Sequence, residues 1–199
     1  KRSGVDDQRY HIILLAQNLV GYKNLVKLVT AAHLDGFYYK PRFDHDLLRK
    51  HSEGIICLSG CMSGEIPRAL LAGDEEEAEK ILRTYKEIFG DRYYIEIGSH
   101  PGIPRYTELR ELLVTFAKKH DAPLVATHDI HYLHHDDAYA QDVLLAVQTN
   151  TRVDDDDRMT MKADDFSMRS PEEMRELFSD VPEAVENTLR IAEQCDLTL

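Results

Sequence analysis

The sequence predicts an α/β protein built on a mainly parallel sheet. Short apolar runs rich in β-branched residues alternate with longer segments of helical periodicity, a rhythm that repeats four times. The runs are apolar at almost every position, as strands covered on both faces by helices are. Periodicity alone leaves an open doubly wound sheet and part of a barrel equally available.

Tyr10 to Gln17 (YHIILLAQ) reads as a buried strand. In the helix that follows, Tyr22, Leu25, Val26, Val29 and Ala32 share one face, and Gly36 is placed as its stop. Gly54 to Leu58 (GIICL) is the second strand, and Glu65 to Ala72 is a short helix closed by Gly73. Asp74 caps the next helix, with Glu77 at its third position reaching back. Its stripe is Ala78, Ile81, Leu82, Tyr85, Ile88 and Phe89, and Gly90 ends it. Arg92 to Ile97 (RYYIEI) is the third strand, and a helix around Glu108 to His120 buries Leu109, Leu112, Leu113 and Phe116. Pro123 to Ala126 opens the fourth strand, and His135 to Gln148 returns as a helix. After Thr149 the rhythm breaks. Residues 150–169 are polar, acidic and irregular, with room for a short hairpin. Ser170-Pro171-Glu172-Glu173 is a helix start with a capping Ser and Pro at the first position. Pro182 opens the last helix, with Val185, Leu189 and Ala192 inward. This divides the chain into an α/β unit, 1–149, and an irregular acidic connection with helices, 150–199.

Composition narrows the function. With 43% hydrophobic and 30% charged residues among 199, the chain supports a packed core and is not generally disordered. The longest apolar run, Ile12 to Ala16, is far short of a membrane span, and no secretory leader is visible. Lys and Arg number 24 against 36 Asp and Glu, a net charge of −12. That opposes a whole-surface grip on nucleic acid but leaves enzymes that meet phosphate through metal ions. The odd cysteines Cys57, Cys61 and Cys195 carry no disulfide framework, which points to a reducing, cytoplasmic setting. Without a second Cys pair, a structural zinc finger is not expected. The first residue is Lys1, within a polar stretch, so a longer parent chain is expected.

In both candidate architectures chemistry gathers at the carboxyl ends of parallel strands. The second strand is followed by Ser59-Gly60-Cys61-Met62-Ser63-Gly64-Glu65. The third leads into Glu96, Gly98 and His100, and the fourth into Thr127-His128-Asp129-Ile130-His131-Tyr132. Three strands thus deliver candidate metal ligands to one rim. Asp129 and His131 lie two apart in an extended segment and face the same side, a carboxylate–imidazole pair suited to a divalent cation. Cys61 sits on a glycine-flanked turn before a helix, where a helix N-terminus and a nearby cation favour thiolate. Such a site would activate water near neutral pH and hold a phosphate oxygen.

Each residue also has a plainer reading. Asp129 suits a turn or cap, and His128, His134 and His135 suit solvent-facing positions. Cys57 and Cys195 read as small core residues, and Glu96 as an anchor for a helix or backbone amide. His11, near a strand's start, reads as a hydrogen-bonded core histidine. The S-G-C-M-S-G stretch is similar to a phosphate cradle but lacks the Lys and spacing of a P-loop.

Several stretches together carry a family likeness. They are Y-H-I-I-L-L-A-Q-N followed by G-Y-K-N-L, then G-F-Y-Y-K-P-R, L-S-G-C-M-S-G-E-I, A-T-H-D-I-H-Y-L and M-R-S-P-E-E-M. In this order they resemble the PHP (polymerase and histidinol phosphatase) domain of the bacterial DNA polymerase III alpha-subunit family. The resemblance implies a distorted (β/α)7 barrel whose rim holds divalent ions, and four of the family's ligands fall on His11, Cys61, Asp129 and His131. It places the remaining ligands in upstream segments, so this chain corresponds to the C-terminal part of the domain. The barrel is then incomplete, and residues 150–199 lead toward a polymerase palm that carries the catalytic aspartates. Zinc or manganese is implied at the PHP site and magnesium at the polymerase site. The implied partners are a DNA primer-template, deoxynucleotides, a sliding clamp and a proofreading subunit, with no membrane. The implied local chemistry is phosphoesterase or 3′–5′ exonuclease cleavage, with the isolated fragment inactive.

Two alternatives accompany this reading. A stand-alone PHP phosphatase would act on a small phosphate monoester, but G-F-Y-Y-K-P-R and M-R-S-P-E-E-M look polymerase-specific. A scaffold module would keep the ligands without turnover.

Overall fold

The computed structural model describes residues 9–199. A four-stranded sheet runs in the order β1 (Ile13–Ala16), β2 (Ile55–Leu58), β3 (Tyr93–Ile97), β4 (Leu124–Ala126). β2, β3 and β4 are parallel, as expected, with Leu58 opposite Tyr94 and Ile97 opposite Ala126. β1 is not. It pairs antiparallel with β2, Ile13 opposite Leu58 and Ala16 opposite Ile55, so the sheet is mixed. β1 is also shorter than the predicted Tyr10–Gln17 run, and Ile13 is exposed. An edge strand with one neighbour has less to cover it than the parallel strands inside.

The helices are α1 (Leu19–Leu34), α2 (His45–Lys50), α3 (Glu65–Leu71), α4 (Glu75–Phe89), α5 (Tyr106–Lys119), α6 (Ala138–Thr149), α7 (Pro171–Leu177) and α8 (Pro182–Glu193). The sequence reading contained no counterpart of α2. Asp44 caps it by accepting from the Leu47 N–H at 2.9 Å. The Asp74 cap holds as expected, accepting from Glu77 N–H at 3.0 Å, and Ser170 forms a full capping box with Glu173. Among the described residues no helix is long and apolar enough to cross a membrane.

The period-2 alternation of the strands separates two packed faces. Ile55, Cys57, Tyr93, Ile95, Ile97, Leu124 and Ala126 join the main core with Leu28, Leu48, Ile66, Leu82, Phe89, Leu113 and Phe116 from the helices. Tyr85 stacks on Tyr93 with ring centroids 4.9 Å apart. On the other face Ile56, Leu58, Tyr94 and Val125 meet Ile191 of α8. Cys57 is buried as expected, whereas Cys195 lies beyond α8 and is exposed, not a core residue.

Two helices bury a different face from the one predicted. In α1 the buried positions are Gly21, Asn24, Leu28 and Ala32, while Tyr22 and Val26 are exposed and Val29 is 54% exposed. Gly21 is the cause: a Cβ there would collide with the Gly54 carbonyl, so helix and strand backbones touch at that point. Asn24 seals the approach, its Nδ2 donating to the Glu53 carbonyl at 3.0 Å. In α8 the inward set is Ala184, Asn187 and Ile191, with Val185 packed at the margin, whereas Leu189 is 63% exposed and Ala192 faces out. Asn187 Nδ2 donates to the Leu124 carbonyl at 2.7 Å, so a polar residue holds the helix to β4.

Residues 150–169 form no hairpin. Their order comes from two ionic clamps. Asp142, 2% exposed on α6, accepts from Arg158 Nη1 at 2.8 Å and Nη2 at 2.5 Å, from Thr160 Oγ1 at 2.8 Å, and pairs with Lys162 Nζ at 2.9 Å. Asp165 accepts from the Ser167 N–H at 2.9 Å and pairs with Arg169 Nη2 at 2.7 Å and His135 Nδ1 at 3.2 Å. Tyr132 and Ser167 form an isolated parallel bridge beside it.

Asp142→Ala would leave the buried Arg158 guanidinium unpaired and lower stability by about 3 kcal/mol or more, measurable by urea unfolding. Burial raises the pKa of Asp165, but the Ser167 N–H, His135 and Arg169 outweigh it and hold the carboxyl down at about 2, against 3.8 ordinarily. A carboxyl depressed on folding stabilises fully above its unfolded pKa and loses that contribution as pH falls through the folded value. Asp165→Asn is therefore expected to flatten the acid limb of the stability profile between about pH 4 and pH 2.

Candidate functional site

The reversed direction of β1 assembles the rim. His11 precedes β1, and because β1 is antiparallel it lies at the end where β2, β3 and β4 finish. Its N–H donates to the Ser63 carbonyl at 2.9 Å. Gly60 takes φ +78°, and a Cβ there would lie 2.5 Å from the His11 carbonyl oxygen, so only glycine allows this approach. His11 is exposed, which overturns its reading as a core histidine. Cys61 stands exposed on the next residue of the same turn, which the Gly64 N–H closes by donating to the Cys61 carbonyl at 2.7 Å.

β3 contributes Glu96, which is buried at the centre of the rim. Its backbone N–H donates to Ser59 Oγ at 2.9 Å, and its Oε1 accepts from Thr127 Oγ1 at 2.7 Å. The other carboxylate oxygen, Oε2, is buried without a hydrogen-bond partner. Burial raises the pKa of Glu96, opposed by Thr127 and the Gly60 N–H, while Asp129 adds to the rise and His11 opposes it. Tyr106, at the start of α5, sets its hydroxyl against Gly98. Burial pushes that hydroxyl's pKa up, and Cys61, Glu96, Asp129 and Asp164 push it further. Cys61 and Asp129 thus act electrostatically on one phenol, and His11 and Asp129 on one carboxylate.

Asp129 and His131 follow β4 and stay together: His131 Nδ1 is 3.0 Å from the Asp129 carbonyl oxygen and 3.6 Å from its carboxylate Oδ1. The His131 N–H donates to the Phe166 carbonyl at 2.9 Å, so the irregular 150–169 segment braces the rim. His100 is 2% exposed, sandwiched between His128 and Phe166 with both centroids 4.9 Å away. Neither of its ring nitrogens has a hydrogen-bond partner, and Nδ1 stands 3.9 Å from Asp164 Oδ2. Burial lowers the pKa of both His100 and His128, which favours neutral rings. His128 is therefore part of a stacked layer under the rim, not the solvent-facing residue expected; His134 and His135 are exposed as expected.

Thr127, Tyr106, Phe166 and Asp164 are the contributors that sequence reasoning missed. Thr127 directly precedes the H-D-I-H run and was within reach of it; Phe166 and Asp164 sit in a segment with no periodicity to read.

A thiol, a carboxylate and imidazoles suit divalent cations, and the buried unpartnered Glu96 oxygen is a polar group that such a site would engage. Among the described residues, however, no three His, Cys, Asp or Glu side chains are grouped closely enough to hold a metal ion by themselves. Among the described residues the donors do not by themselves form a cage for a cation.

Residues 3–100 match the PHP domain model. The chain is 45% identical over 98% of its length to DNA polymerase III subunit alpha of Borreliella burgdorferi, of which it spans 17%. It is 44% identical over 96% of its length to that of Treponema pallidum and 43% over 98% to that of Thermus aquaticus, spanning 16% of each. The chain covers only about one sixth of the length of these curated relatives. Residues 3–100 thus carry the PHP domain match, and the chain as a whole corresponds to a fragment of DNA polymerase III alpha subunits.

Proposed function

We propose that the chain serves within a replicative DNA-directed DNA polymerase and that its rim is a metal-dependent phosphoesterase site, removing nucleotides from a primer 3′ end. What supports the reading is that Asp129 and His11 both act on the Glu96 carboxyl, Asp129 and Cys61 both act on the Tyr106 hydroxyl, and His131 Nδ1 stands 3.6 Å from Asp129 Oδ1. His11, Cys61, Asp129 and His131 would hold the divalent ions, zinc or manganese by their thiol and imidazole chemistry. When bound, such ions activate water and neutralise phosphate charge.

The chain's own residues prepare the site for that chemistry. Thr127 fixes one oxygen of Glu96 and leaves Oε2 available to a ligand or water. The Tyr106 hydroxyl stays protonated across the physiological range and is a hydrogen-bond donor beside the rim. The His100–His128–Phe166 stack packs buried ring surface beside the segments that follow β3 and β4. Phosphate binding through ions also reconciles an acidic chain with an anionic substrate. The polymerase reaction, its catalytic aspartates and magnesium belong to the rest of the parent protein in this reading, and primer-template, deoxynucleotides and the other replicase subunits are its partners.

The test is Asp129→Asn in the full-length protein, an isosteric exchange at an exposed position. Bound metal measured by atomic emission is expected to fall. Release of nucleotides from a labelled primer 3′ end is expected to drop by about a hundredfold, since even outer-shell partners of metal ligands change affinity or activity ten- to a hundredfold. Wild-type metal content and wild-type cleavage in the variant would overturn the reading. Metal binding with cleavage of small phosphate esters alone would favour the phosphatase alternative.

A further inference from the structure

A group of basic side chains lies beside the rim of this acidic chain, in a cavity of about 590 Å³. It is formed where the Tyr10–Ile12 segment, the Lys40–His45 loop and α3 come together. Arg9, Lys40, Arg42 and Arg68 line it, against two carboxylates, Asp44 and Glu65. Both carboxylates are already engaged. Asp44 caps α2, and Glu65 Oε2 meets His45 Nε2 at 3.0 Å and accepts from the Tyr85 hydroxyl at 3.1 Å. The hydrogen bond to Glu65 raises the pKa of His45 despite partial burial. Two guanidinium groups are spread on aromatic rings: Arg68 lies 5.2 Å from the Tyr10 centroid and Arg42 lies 4.9 Å from that of Tyr38.

We propose that this cavity is a binding site for a nucleotide phosphate, separate from the metal donors and opening next to them through His11. The size falls within the roughly 300–1,000 Å³ of small-molecule sites and suits one nucleotide. Arg68, lying over the Tyr10 ring, can offer N–H groups to a phosphate while that ring offers a surface for a base. With four cationic side chains against two engaged carboxylates, the cavity attracts anions although the chain as a whole is acidic. A nucleotide here can come from two sources, the terminal residues of a single strand or a free mononucleotide. The inference stands on the cavity's chemistry and survives if the rim proves to hold no metal.

Hydrogen exchange in the full-length protein tests it, read at residues 38–45 and 65–71 so that DNA bound elsewhere does not contribute. The probes are inorganic phosphate, deoxythymidine monophosphate and a short oligodeoxythymidylate. Protection of both segments is expected with at least one nucleotide probe. The concentration required is expected to rise about tenfold or more in Arg68→Glu and in Lys40→Glu, the factor carried by one charge-assisted hydrogen bond. Protection by the oligonucleotide alone identifies a strand end; equal protection by the mononucleotide identifies a free nucleotide. Protection that persists in Asp129→Asn keeps the site distinct from the rim. No protection with any nucleotide probe, undiminished protection in both charge reversals, or loss of protection in Asp129→Asn overturns the proposal.

Discussion

The backbone of His11 lies against Gly60 and Ser63 because β1 runs antiparallel to β2, and the rest of the rim is arranged around that contact. A parallel β1 would carry His11 to the opposite end of the sheet, away from Cys61 and from the residues that follow β3 and β4. A side chain at Gly60 would force the two segments apart. The contact also brings the Tyr10–Ile12 segment beside α3, which creates the basic cavity next to the candidate metal donors. One pairing direction thus sets both anion-related features of the molecule.

Charge is distributed by function. The acidic runs Asp74–Glu77 and Asp154–Asp157 face solvent, whereas the buried carboxylates have dedicated partners. Asp142 binds Arg158, Lys162 and Thr160, and Asp165 binds Ser167, His135 and Arg169. Burying such pairs is a weak source of net stability, but breaking one leaves an isolated charge at high cost. Their value here lies in geometry: they fix a segment without secondary structure so that Phe166 can sit under His100 and brace His131. Glu96 differs from these carboxylates. One of its oxygens is buried and unpartnered, the kind of unmet demand that natural interiors rarely leave outside functional sites.

The sequence was legible where local chemistry dominates. Strands β2, β3 and β4, the Asp74 and Ser170 caps and the stripe of α4 follow from periodicity and capping alone. It misled where burial depends on backbone proximity. In α1 Leu25 and Ala32 of the expected face do turn inward, but Tyr22, Val26 and Val29 do not, because the close approach at Gly21 rotates the helix onto Asn24 and Leu28. In α8 the polar Asn187 is buried because the Leu124 carbonyl needs a donor, so hydrophobicity chose the wrong side. Short α2 lacks the length for a periodic signal, and the stacking of His128 on His100 joins residues with no pattern in common.

By itself the sequence determined the α/β class, the parallel core of the sheet and the likeness to a known family, because each is encoded in residue type, short-range spacing and motif order. Only the tertiary structure decided the direction of β1, the helix faces turned inward, the stacked histidines and the cavity between Arg68 and Lys40. Those features arise from contacts between segments tens of residues apart, where the identity of one side chain says nothing about its neighbour until the chain has closed around it.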